Sequence, residues 1–74
     1  MHLSINGVTA EFKTAGDLTE VTISRRLELS FVDFAAANNL SIKNFQRNAF
    51  ASRIIIETRQ ADRAEALIKE YFGS

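Results

Sequence analysis

The stretch Val21-Thr22-Ile23-Ser24-Arg25-Arg26-Leu27-Glu28-Leu29-Ser30-Phe31 decides the fold. Val21, Ile23, Leu27, Leu29 and Phe31 are apolar and share one parity, with Thr22, Ser24, Arg26, Glu28 and Ser30 on the other. Side chains alternate between faces along a strand, so this period of two predicts a strand over roughly residues 19–29 with one face buried. Arg25 is the misfit, because it lies on the parity of the apolar set. A bulge at Arg25-Arg26 would turn Leu27 and Leu29 outward. The expectation is therefore an Arg25 at the margin of the apolar face, partly buried, with its stem packed and its guanidinium paired.

Upstream, Asn6-Gly7 stands between Leu3-Ser4-Ile5 and Val8-Thr9-Ala10-Glu11-Phe12. Asn-Gly suits a two-residue type I′ turn, which needs positive φ at both positions. The turn sets Ile5 opposite Val8 and Leu3 opposite Ala10, all on one side. Thr14-Ala15-Gly16-Asp17 supplies the next turn, so three antiparallel strands follow one another as a meander.

Downstream, Ser30 is a candidate N-cap with Asp33 three residues on. Phe31, Phe34 and Ala35 form a helical stripe, Ala35-Ala36-Ala37 favours helix, and Asn38-Asn39 ends it through the left-handed conformation that Asn tolerates. Residues 41–50 read as a second short helix with Ile42, Phe45 and Ala49 inward, or else as an ordered loop. Ile54-Ile55-Ile56 centre a strand over residues 53–59, with both faces buried. Ala64, Leu67, Ile68, Tyr71 and Phe72 recur at i, i+3, i+4, i+7 and i+8, an amphipathic helix that Gly73 stops. The fold class is α+β, a β-β-β-α-(α)-β-α order in one domain over residues 1–74, with helices packed on the sheet.

Composition restricts function more than it reveals it. Nine basic and nine acidic residues cancel, so no global field draws a polyanion. The balance is uneven, with Lys43, Arg47, Arg53 and Arg59 against Glu57 alone over residues 42–59. No cysteine and a single histidine, His2, argue against a zinc site. The glycines stand singly, so no phosphate-cradling loop is present. No catalytic residue, cofactor or metal ligand is expected, and the protein reads as a non-enzyme. No apolar run approaches the ~20 residues of a membrane span. Met1-His2-Leu3-Ser4 lacks the basic and apolar blocks of a secretory leader, so a cytoplasmic setting is expected.

Two stretches are candidates for binding. Residues 41–53 interleave Lys43, Arg47 and Arg53 with Phe45, Phe50, Asn44, Gln46 and Asn48, a mixture able to meet phosphates and bases. With residues 33–41 they draw a helix-turn-helix outline, from which Asn38 and Asn48 depart at usually apolar positions. The candidate nucleic-acid residues are Lys43, Arg47, Phe50 and Arg53. The second is surplus apolar surface. Two helices compete for one sheet face, so Leu67, Ile68, Tyr71 and Phe72, with Arg25, are the candidate partner or dimer interface. The primary expectation is a small interaction or regulatory module that binds a protein partner, including a second copy of itself. The other is a regulatory nucleic-acid-binding domain.

Overall fold

The computed structural model describes residues 1–73. β1 (His2–Ile5), β2 (Val8–Ala15) and β3 (Leu18–Ile23) form the meander, followed by α1 (Leu29–Ala37), β4 (Ile42–Arg47), β5 (Ser52–Glu57), a 3₁₀ turn (Thr58–Gln60) and α2 (Ala61–Gly73). The α+β class holds, and the sheet has five antiparallel strands in the order β1-β2-β3-β5-β4. β3 and β4 run in the same direction on either side of β5, so α1 is the crossover of a split βαβ unit.

The first hairpin follows its turn chemistry. Asn6 and Gly7 have φ of +50° and +81°, and Ile5 pairs with Val8 and Leu3 with Ala10. Val8, Ala10 and Phe12 thereby share a face with Val21, Ile23, Ile54 and Ile56. Phe31 and Ala35 of α1 and Ala64, Leu67 and Ile68 of α2 pack onto that face in one cluster. Both helices share one side of the sheet. The other side is polar, with His2, Glu11, Lys13, Glu20, Thr22 and Arg53 in solvent or half-covered.

α1 ends in a Schellman motif. Asn39 is left-handed at φ +63°, Asn39 N–H donates to the Ala36 carbonyl at 3.1 Å, and Leu40 N–H to that of Ala35 at 2.9 Å. Its start differs from expectation. Glu28 occupies the N-cap position without a side-chain bond, and the Ser30 hydroxyl instead meets the Tyr71 hydroxyl at 2.9 Å.

Residues 42–47 are a strand, neither helix nor loop, which also removes the helix-turn-helix outline. Lys43 is an extra residue in the ladder, since Ile42 pairs with Ile56 while Asn44 pairs with the adjacent Ile55. The bulge returns Ile42 and Phe45 to one face although they are three apart, a spacing that imitates a helix. It also interrupts the hydrogen-bonding edge of an outermost strand, as edge strands commonly require. Ile55 faces the polar side and is only half-buried, so burial on both faces fails at the middle of the three isoleucines.

The strand of the opening stretch is shorter than expected. β3 stops at Ile23, and residues 24–28 form an irregular loop. Arg25 is therefore outside the ladder and exposed, its guanidinium 5.7 Å from the Phe72 ring centroid rather than paired with a carboxylate.

Candidate interaction surface

The loop after β3 is fastened to the base of the β4–β5 hairpin by two side chains. Ser52, buried at the start of β5, accepts from Leu27 N–H at 2.7 Å and donates to the Arg25 carbonyl at 2.9 Å. Arg47, at the end of β4, donates Nη1–H to the Leu27 carbonyl at 2.7 Å and lies 6.0 Å from the Phe45 ring centroid. These bonds satisfy both backbone groups of Leu27 and the carbonyl of Arg25, which lie outside any ladder, and Leu27 is sealed into the core at 1% exposure.

The hairpin tip has its own lock. Asn48 Oδ1 accepts from Phe50 N–H at 2.8 Å and Ala51 N–H at 2.9 Å, while Asn48 N–H donates to the Ala51 carbonyl at 2.9 Å. An Asx turn thus replaces the glycine that such a turn commonly uses. It holds Phe50 outward at 83% exposure, the most exposed large apolar side chain among the described residues.

Two grooves flank this seam. One, about 440 Å³, runs between Thr22, Gln46, Arg47, Ala51 and Arg53. The other, about 530 Å³, is bounded by Arg25, Arg26, Glu28, Tyr71 and Phe72. Arg25, Arg26, Arg47 and Arg53 thus gather at one end of the sheet, with Glu28 as the acidic residue in either groove lining. Arg53 reaches Gln46 at 2.7 Å and Glu20 at 3.4 Å, an exposed pair of small energetic weight. Arg26 is exposed and has no side-chain partner among the described residues.

Of the residues singled out for nucleic acid, Arg47, Phe50 and Arg53 come together. Lys43 does not. It is the bulged residue, four positions from Arg47 along a strand that rises ~3.3 Å per residue. Of the candidate dimer residues, Leu67 and Ile68 lie in the core at 5% and 2% exposure, which takes them off any free surface. Tyr71 and Phe72 are half-buried against Phe31, with ring centroids at 5.1 and 6.5 Å. The α2 stripe is covered within the chain, as are Ile54 and Ile56. Arg26 was not among the candidates. The two successive charges that end the alternation of β3 are the signal that would have found it.

Another titratable contact lies on the polar side of the sheet. His2 Nδ1 and Glu11 Oε2 are 2.9 Å apart across the β1–β2 ladder, both exposed. The His2 hydrogen bond holds the Glu11 carboxyl below its ordinary value of 4.5. A lowered folded-state pKa contributes stability above the unfolded value and loses it as pH falls through the folded one. Replacing His2 by alanine should therefore raise the Glu11 pKa toward 4.5, read from the pH titration of its side-chain carboxyl carbon by NMR. Among the described residues no group of three or more His, Cys, Asp or Glu side chains is placed to hold a metal, and no helix is long and apolar enough to cross a membrane.

Comparison with protein-family models, curated proteins and solved structures finds no match.

Proposed function

We propose that the domain is a non-enzymatic interaction module that binds a protein partner through the arginine-rich end of its sheet. The observation that carries this reading is Phe50, held almost wholly in water on a turn fixed by Asn48. Burying such a ring on a partner recovers about 1.5–3 kcal/mol, and a rigid tip loses little entropy in doing so. Aromatic and arginine side chains are also the types that dominate interface energetics. The grooves beside the tip supply recesses for the partner's own side chains.

Replacing Phe50 by alanine separates this role from a structural one. Phe50 is absent from the core cluster, so thermal stability should change by less than ~0.5 kcal/mol. Proteins retained by the immobilised wild-type chain should be lost by the variant, with affinity for an identified partner reduced about 30-fold or more, the ~2 kcal/mol of a hot spot. Equal retention by both chains would refute the reading. Sedimentation of the wild type over a wide concentration range shows whether that partner is a second copy. A monomer at every concentration rules out self-association.

A further inference from the structure

We propose that the partner offers this end an acidic polypeptide segment, its carboxylates meeting Arg25 and Arg26 and an apolar side chain packing on Phe50. This rests on the interaction-module reading and adds the chemistry of the ligand. Charge complementarity carries it. The chain is neutral as a whole, yet four arginines collect around one seam with Glu28 as the acidic residue in the groove linings. Two of the four are already engaged, Arg47 on the Leu27 carbonyl and Arg53 on Gln46 and Glu20. The loop pair, Arg25 and Arg26, is exposed and stands beside the seam because Ser52 ties the Arg25 carbonyl to the hairpin base.

Arg25 lies over the Phe72 ring, which orients its guanidinium without neutralising it. A planar guanidinium takes a carboxylate with two parallel hydrogen bonds, so two neighbouring arginines select a segment with spaced acidic side chains. A nucleic-acid backbone is also anionic, but two free cations give it a weak grip. Counterion release from two contacts on a single strand amounts to only about a sevenfold affinity change between about 50 and 200 mM salt. Phe50 does not discriminate, since a base stacks on a ring as readily as an apolar side chain packs on it, so the small number of free cations is what favours the peptide.

The test selects ligands on the full chain from a display library of random 12-residue peptides. The expected outcome is enrichment of sequences rich in Asp and Glu with at least one large apolar residue. The best of them, synthesised, should bind at least tenfold more weakly to the Arg25→Ser, Arg26→Ser double variant, and measurably more weakly to Arg26→Ser alone, which leaves the contact with Phe72 intact. Melting temperatures confirm that the variants fold. No enrichment, enrichment without an acidic bias, or undiminished binding to the double variant overturns the proposal. So does a 20-nucleotide oligothymidylate that binds tenfold tighter than the best peptide, which would assign the surface to nucleic acid. A protein partner lost by Phe50→Ala but indifferent to the double variant would remove the acidic ligand and leave the interaction module standing.

Discussion

Replacing Phe31 by alanine should destabilise the domain by about 3–5 kcal/mol, the cost of emptying a large aromatic site in a core that relaxes only partly. Phe31 is fully buried near the start of α1 and touches three other rings. Tyr71 meets it edge-on at 90°, Phe72 lies nearly parallel at 17°, and Phe34 is tilted at 44°. Each favourable ring pair adds about 0.5–1.5 kcal/mol beyond its buried area. A chain of 74 residues has about 4–11 kcal/mol in all, at ~0.05–0.15 kcal/mol per residue. The substitution therefore removes from about a quarter of the margin to all of it. Urea unfolding should show a midpoint lowered with the slope unchanged, and a melting temperature lower by at least ~12 °C. Phe34→Ala, at a half-buried site, should cost less. A loss below ~1 kcal/mol for Phe31→Ala would mean that α1 is not the cover of this sheet.

The effect reaches the interaction surface, because Phe31 backs the platform on which Arg25 rests. Tyr71 and Phe72 line the groove beside Arg25 and Arg26, and the Asn6 side chain holds the Phe72 carbonyl at 2.7 Å. Core packing and the placement of the loop arginines are thus consecutive links of one chain of contacts.

What was legible in the sequence is what local chemistry alone determines. Asn6-Gly7 specifies its turn whatever the rest of the chain does, and the α2 stripe needs only the helical repeat to be seen. β4 was not legible for two reasons. Its bulge at Lys43 puts Ile42 and Phe45 three residues apart on one face, and its turn uses the Asn48 side chain instead of a glycine. The end of β3 was hidden differently. Alternation continues through Leu27 and Leu29, but Leu27 is buried from an irregular loop and Leu29 is 61% exposed at the helix start. A buried serine twenty-five residues away and an arginine twenty residues away make that loop tolerable, and no local pattern announces either. The candidate site was half legible for the same reason. Arg47, Phe50 and Arg53 belong to one hairpin, whereas Arg25 and Arg26 join them through tertiary bonds.

Ser52 is therefore the residue whose loss tests the assembly of the site most directly. Ser52→Ala removes the acceptor of a buried N–H, that of Leu27, and the hydroxyl donor to the Arg25 carbonyl. An orphaned buried amide costs about 1–3 kcal/mol, and alanine offers it nothing in return. Arg47→Met should be destabilising as well, since it withdraws the donor from the carbonyl of the same Leu27 while keeping most of the stem's packing. Because both side chains restrain one residue, the two losses should not add. Once either bond is gone the loop can rearrange, so the double variant should cost less than the sum by at least ~0.5 kcal/mol. Urea unfolding of the two single variants and the double variant measures this coupling. Hydrogen exchange at the Leu27 amide should quicken in Ser52→Ala well before the strands open, as local release of the loop requires. Additive losses with an equally protected Leu27 amide would show that the loop stands without the seam. Arg25 and Arg26 would then owe their position to the packing of Leu27 alone.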